Sequence, residues 1–359
     1  MPVPRTGSDG RHGRSQHLPG DPYRTITIAF IAERAGVSIP TVSKVINGRS
    51  GVGSETRARV EALINEHGYR RPEATNRADI MELVMGELES LWGLEIIRGV
   101  EAAARRHHVG VVLSDFDQRP TETRGWVEDA LARRPRCVVS VAQLSQAQRD
   151  QLTARNIPFV VFDLAAELPD DAPYVGATNW LGGRTATRHL LDLGHRRIAM
   201  IGGPDHVLCC RARLDGYRSA IEAAGLDVAP ELIRRVNLCH AEGHTAALDL
   251  LAQIHRVAKP GRPTAIFTAN DVQALGVYQA ARETGLRIPE DLSVVGFDDL
   301  PVVSWIDPPL TTVHQPLVEM AAAATELALA LGRGEQPPQR RIELATTLTV
   351  RRSTGPPPA

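Results

Sequence analysis

The sequence predicts a small all-α helix-turn-helix unit followed by a larger α/β body built from two doubly wound parallel sheets. Residues 27–68 break into three short amphipathic periods with a Gly-containing turn between the first two, the pattern of a helix-turn-helix. From residue 80 the pattern changes to short apolar runs alternating with longer helical stretches, which is how parallel sheets with crossover helices are written. The charge is also divided: residues 1–72 carry 11 Lys and Arg against 6 Asp and Glu, although the 359-residue chain sums to −1. A small basic piece on an acidic body points the front end toward a polyanion.

In chain order, residues 1–25 are rich in Gly, Pro, Arg and His, lack hydrophobic periodicity and read as a disordered tail. The helix-turn-helix unit spans 26–70. Ile28, Ile31, Ala32 and Ala35 define its first helix, capped by Thr27 and stopped by Gly36. Ser38 caps the second, where Pro40 is tolerated in the first turn because its missing N–H has no helical partner there. Val42, Val45 and Ile46 share its inner face; Ile39, Pro40, Ser43, Lys44 and Asn47 share the other. A third helix starts at the cap Ser54, buries Val60, Leu63 and Ile64, and ends at Gly68. The polar segment 71–79 reads as a linker. Strands are then expected at 80–85, 109–114, 137–141, 157–162, 197–202, 264–268, 292–297 and 342–350. Helices are expected at 93–107, 145–155, 180–193, 211–224, 243–254 and 271–284. Residues 352–359 read as a second disordered tail.

Composition narrows the classes further. At 43% hydrophobic and 23% charged the chain is globular, with no apolar run of the roughly 18 residues that a membrane helix needs. Arg5, Arg11, Arg14 and Arg24 without an apolar stretch imply no cleaved secretory signal, so a cytoplasmic location is expected. Cys137, Cys209, Cys210 and Cys239 show no CxxC spacing and read as reduced thiols. His206 and the pair Cys239–His240 lie near Cys209 and Cys210, but the spacing matches no zinc pattern, and no metal or cofactor is expected. The motifs GxxxxGK[ST] and GxSxG are absent, and no nucleophile–base pair stands out, so catalysis is not expected.

The outer face of the second helix has the chemistry of a groove reader. Lys44 can donate to guanine O6 and N7, and Ser38, Thr41, Ser43 and Asn47 are short donors for phosphate oxygens. Ile39 and Pro40 offer only apolar contact, as with thymine methyls. Thr27 and Thr56, at the starts of the first and third helices, complete the expected DNA-contacting set. The stretch 27–69, through AGVS, TVSKVING and ETRARVEALINEHGY, resembles without a gap the DNA-binding headpiece of the LacI/GalR (lactose-repressor) family. The resemblance implies double-stranded operator DNA as partner, read by a homodimer with one headpiece per half-site. It departs at the hinge. The family's minor-groove leucine falls near Ala78, the segment before the first strand is short, and no Leu occurs between 70 and 79.

The rest of the chain is similar to the same family's effector domain, through EIIRGVEAAAR, IPFVVFD, GHRRIAMIGGP, RARLDGY, TANDVQALGV, IPEDLSVVGFDDL and PPLTTVHQP. This implies a periplasmic-binding-protein-like fold over 80–351: subdomain 1 at about 80–177 and 309–336, subdomain 2 at about 178–308 and 337–351, with three crossings and a cleft between them. By the resemblance, Arg213 forks onto sugar hydroxyls, Asn270 and Asp298 are polar contacts from subdomain 2, and Asp163 and Gln315 are contacts from subdomain 1 and a crossing. Trp92 offers an aromatic face, and Cys209 is a small soft side chain lining the cleft. The implied function is a ligand-responsive transcription regulator, a repressor answering to a sugar or oligosaccharide. A purine- or metabolite-responsive co-repressor of the same family is the alternative, and an extracytoplasmic sugar-binding protein is a more distant one.

Overall fold

The computed structural model describes residues 27–46, 51–67, 78–86, 88, 90–116, 125–163, 168–169, 171–256 and 262–358. The N-terminal tail, Asn47, Gly48, Gly68 and most of the 71–79 linker lie outside these residues. The chain divides into two compact units, Met1–Thr75 and Asn76–Ala359.

In the first unit, α1 (Ile28–Ala35), α2 (Ile39–Ile46) and α3 (Ser54–Glu66) enclose a core of Ile31, Ala32, Ala35, Val42, Val45 and Val60. Thr27 caps α1, its hydroxyl accepting the Phe30 N–H at 3.3 Å, and Gly36 closes it in the left-handed region at φ 64°. The Ser38 hydroxyl accepts the Thr41 N–H at 3.3 Å and opens α2. The start of α3 differs from expectation. Ser54 lies inside the helix and Gly53 takes the cap position, with no side-chain cap bond. Phe30 meets His67 edge to face at 5.2 Å, tying α1 to the end of α3.

The second unit holds two six-stranded sheets. Its elements run β1 (Ile80–Met85), α4 (Leu91–Arg106), β2 (Gly110–Asp115), α5 (Trp126–Arg133), β3 (Val138–Ser140), α6 (Gln146–Ala154), β4 (Phe159–Phe162), β5 (Tyr174–Ala177), α7 (Asn179–Asp192), β6 (Ile198–Gly202), α8 (Leu208–Ala223), β7 (Ile233–Arg235), α9 (His240–Arg256), β8 (Ala265–Thr268), α10 (Asp271–Glu283), β9 (Ser293–Asp298), β10 (Thr311–His314), α11 (Leu317–Gly332), β11 (Arg341–Leu344) and β12 (Thr347–Thr349). The sheet orders are β11-β5-β4-β3-β1-β2 and β12-β10-β9-β8-β6-β7. All pairings are parallel except β10 with β12. The inner strands are buried on both faces, as such sheets require, while the edge strands β2, β7, β11 and β12 are partly exposed.

Three boundaries need correction. β10 pairs with β9, Thr311 opposite Val295, so 309–314 belongs to the second subdomain rather than the first. β11 pairs with β5, Arg341 opposite Tyr174, so 341–344 belongs to the first subdomain rather than the second. The single strand expected at 342–350 is therefore two strands in different sheets, divided by the last crossing. Residues 352–358 are ordered rather than a tail. The Ser353 hydroxyl donates to Val294 O at 2.6 Å and accepts the Thr311 N–H at 2.7 Å, while Gly355 N–H donates to the Ser293 hydroxyl at 3.0 Å. These side-chain bonds fasten a Pro-rich end that has no helical or strand pattern. At the linker, Ala78 N–H donates to Arg134 O at 3.2 Å and Asp79 O accepts from Gly110, so 78–79 form the foot of the first sheet.

Candidate functional site

The two sheets turn their carboxyl edges toward a cavity of about 500 Å³, lined on one side by Met85, Gly86, Ser90, Trp92, Val141, Ala142, Gln143 and Asp163, and on the other by His206, Val207, Cys209, Arg213, Leu238, Asn270 and Asp298. Ligands bind at such strand ends in doubly wound folds because side chains there project past the sheet without breaking its ladder.

Arg213 stands at the floor. It sits on α8, which packs against α7 through Gly183 and Gly216. A Cβ on Gly183 would strike the Arg213 carbonyl, and one on Gly216 the Trp180 carbonyl, so only glycine permits this approach. The guanidinium stacks on Phe297, 3.7 Å from the ring centroid. Its Nε donates to Asn179 Oδ1 at 2.8 Å, Nη1 to Ala269 O at 2.6 Å and Nη2 to Gln315 Oε1 at 3.2 Å. Asn179 and Gln315 in turn donate to the two oxygens of Asp163, each at 3.2 Å. Arg213 thus touches both subdomains and two crossings at once. It is 3% exposed, and three of its five N–H groups are given to protein, where the sequence led one to expect a fork onto sugar hydroxyls.

Asp298 behaves differently. Its Oδ1 lies 3.7 Å from Arg213 Nη1 and has no hydrogen-bond partner, though the side chain is 4% exposed. Burial raises its pKa well above the carboxylate range, against the lowering field of Arg213. Its backbone holds φ 115°, and Asp163 and Asp299 also have positive φ, at 44° and 63°. Each turn is costly for a non-glycine residue and throws a carboxylate off the end of its strand. Beside them Asp271 is fully buried, accepts from Thr312 at 2.6 Å and from Leu300 N–H at 2.8 Å, and is pushed up to about 7 by burial.

Of the six cleft residues expected from sequence, Trp92, Asp163, Arg213, Asn270 and Asp298 line the cavity, whereas Gln315 lies beneath it, 1% exposed. Asn270 is held locally: its Oδ1 caps α10 through the Gln273 N–H and its Nδ2 donates to Leu238 O. Trp92 packs edge to face on Phe162 at 5.9 Å, keeping part of its ring toward the cavity. Sequence reasoning missed Asn179, the amide between Asp163 and Arg213. The signal available was a polar residue at the junction of a short apolar run and a helix. Cys209 lines the cavity, with the buried Cys210 as its hydrogen-bonding neighbour. Among the described residues no three His, Cys, Asp or Glu side chains gather as a metal ion would need.

In the first unit the outward face of α2 presents Ser38, Ile39, Pro40 and Lys44, all exposed, with Thr41 and Ser43 half-buried beside them. Ile39 is 48% exposed, a cost for a large apolar side chain that a groove surface would remove. Thr27 is exposed and Thr56 half-buried.

Residues 27–72 match "Bacterial regulatory proteins, lacI family", and residues 187–354 match "Periplasmic binding protein-like domain". The chain is 32% identical over 336 residues to the ribose operon repressor of Escherichia coli (strain K12), covering 91% of this chain and 99% of that one. It resembles the solved "transcriptional regulator CelR-cellobiose complex", with TM-score 0.70, 31% identity, and 91% and 99% coverage. It also resembles the lac repressor dimer bound to operator and an anti-inducer, with TM-score 0.65, 27% identity, and 92% and 100% coverage. No helix among the described residues is long and apolar enough to cross a membrane. With a trihelical headpiece, a two-subdomain cleft and relatives matched over nearly their full lengths, this chain belongs to the lacI family of bacterial regulatory proteins.

Proposed function

We propose that the protein is a transcriptional repressor whose grip on operator DNA is controlled by a saccharide held between its two subdomains. The observation that carries this reading is the pairing, on one chain, of an exposed reading helix with a cavity walled by both sheets. In this reading α2 enters the major groove, where Lys44 supplies the base-edge donor and Ile39 and Pro40 the apolar contacts. Thr27, Ser38, Thr41, Ser43, Asn47 and Thr56 hold phosphates and fix register. Two copies dock on the two halves of a pseudo-palindrome, as the lac repressor relative is described as an operator-bound dimer. The work is done on DNA in the cytoplasm and involves no bond-making step.

The ligand acts by differential contact. Trp92, Asp163, Asp298 and the groups around them belong to different subdomains, so a molecule that touches both favours one arrangement over another and shifts the population that binds DNA. The saccharide assignment draws support from the polar floor set against apolar walls, and from the cellobiose complex of a relative. The test is selection of duplexes from a random library by the full-length protein. A two-fold related sequence is expected, with binding weakened by Lys44→Ala. Recovery of sequences without two-fold symmetry, bound equally by the variant, would overturn it.

A further inference from the structure

Cys209 and Cys210 stand in the first turn of α8 and take no part in the contacts proposed for the effector. Cys209 is half-buried and lines the cavity, whereas Cys210 is 2% exposed. The two sulfurs are hydrogen-bonded: the Cys209 S–H donates to Cys210, which also accepts from the Gly203 N–H. Glycine is needed at 203, because a Cβ there would strike the Cys210 sulfur. The hydrogen bond raises the pKa of Cys209, helped by burial, and lowers that of Cys210, where Arg213 acts in the same direction against burial. The pair therefore releases its first proton from Cys210 and keeps its second sulfur at the cavity wall.

The geometry selects what such a pair can hold. His206 lines the same cavity, but among the described residues no three His, Cys, Asp or Glu side chains gather, so a tetrahedral cation such as zinc lacks its ligands. A direct disulfide fits poorly. Consecutive Cα atoms are about 3.8 Å apart, below the roughly 4.4–6.8 Å that a disulfide spans, and neighbours on a helix do not face each other, so the bond would open the first turn of α8. An atom inserted between the sulfurs removes that strain. A linear two-coordinate cation would need the sulfurs on opposite sides of it, which hydrogen-bonded neighbours do not offer. What remains is a pyramidal centre that needs two thiols and brings its own third substituent. We propose that Cys209 and Cys210 form a dithiol site for monosubstituted trivalent arsenicals, R–As(OH)₂, with R lying among the apolar walls Met85, Trp92, Val141 and Leu238. Cys210 displaces one hydroxyl and Cys209 the other. Two As–O and two S–H bonds break, two As–S bonds form, and two waters leave. The arsenic stays trivalent, so neither oxidant nor reductant is required. The second As–S bond closes within one molecule and so has an effective concentration that a single thiol lacks. The site depends on the thiol pair and the cavity, not on which effector the cavity takes.

The test treats the reduced full-length protein with phenylarsine oxide, which hydrates to the dihydroxy form, and weighs the product by native mass spectrometry. One arsenical per chain is expected, with both hydroxyls lost as water, the mark of two As–S bonds. The adduct is then titrated with the monothiol 2-mercaptoethanol. The concentration that strips half of it should fall about 100-fold in Cys209→Ser and in Cys210→Ala, and should not change in Cys239→Ser, which alters an exposed thiol outside the pair. If Cys210→Ala does not fold, Cys209→Ser decides alone, since it exchanges one half-buried sulfur for oxygen. A wild-type adduct that keeps one hydroxyl, an adduct as resistant in Cys209→Ser as in the wild type, or one lost in Cys239→Ser would each overturn the inference.

Discussion

The reading helix and the cleft floor use polar side chains in opposite ways. On α2, Ser38, Ile39, Pro40 and Lys44 project from a helix whose stability rests on Val42 and Val45 on its other face. In the cleft, Arg213, Asp163, Asn179 and Gln315 are buried in one another's hydrogen bonds, and two of them, Arg213 and Asp163, also line the cavity. Removal of a residue from the first region subtracts a contact with something outside the protein. Removal of one from the second strands buried charge inside it.

The largest expected effect follows from that difference. Arg213→Ala leaves Asp163 without its countercharge and the Asn179, Ala269 and Gln315 oxygens without their donor, and should destabilise the effector unit by about 3–5 kcal/mol. The drop is read as a lower urea midpoint, and Arg213→Lys, which keeps charge but not the fork, should fall between the two. An unchanged midpoint for the alanine variant would show that the floor is not a structural hub. Next, Gly216→Ala drives a methyl into the Trp180 carbonyl and should cost about 1–3 kcal/mol by forcing α7 and α8 apart. Because α8 carries Arg213, the same variant should also weaken ligand binding. On the outer helix, Lys44→Ala should cost about 1–3 kcal/mol in operator affinity and leave thermal unfolding unchanged. A shift in unfolding temperature would contradict the division between the two regions.

The smallest effect is a pH dependence. Asp271 is pushed from its ordinary carboxylate range up to about 7 by burial, so between pH 4 and 7 the folded protein holds a proton that the unfolded chain has lost. Stability from this group is full below the unfolded value and declines as pH rises through the folded one, by about 1.4 kcal/mol per unit across the window. Burial lowers the pKa of His189 and His195, an effect of opposite sign confined below the ordinary imidazole range. Above it, wild-type stability should fall between pH 6.5 and 7.5 more steeply than that of Asp271→Asn. Parallel curves would contradict the assignment.

Sequence legibility followed locality. The headpiece could be read almost residue by residue, since caps, turns and the apolar face are all set within a few positions. Most of the alternating strands and helices of the body were legible for the same reason, although α5 and β5 were not among those expected. Helix α11 was not, because LVEMAAAATELALALG is apolar on nearly all sides and carries no 3.6-residue contrast. The Thr-rich β10 and the three-residue β7 were too short or too polar to stand out, and their sheet partners supply what the pattern lacks. The ordered end at Ser353 and the anchoring of Arg213 depend on bonds to Val294, Ala269 and Gln315, remote in sequence. Composition alone therefore read the first as disorder, and motif alone read the second as a free fork.

The central claim is that a saccharide in the cleft changes the headpiece's hold on DNA. The direct measurement is fluorescence anisotropy of a library-selected operator duplex bound to full-length protein, titrated with the sugar that most stabilises it. Release of the duplex is predicted over the concentration range of that stabilisation, with Asp298→Asn requiring at least ten-fold more sugar and Lys44→Ala responding at the wild-type concentration. A complex whose anisotropy stays constant while the sugar saturates the protein would contradict the account.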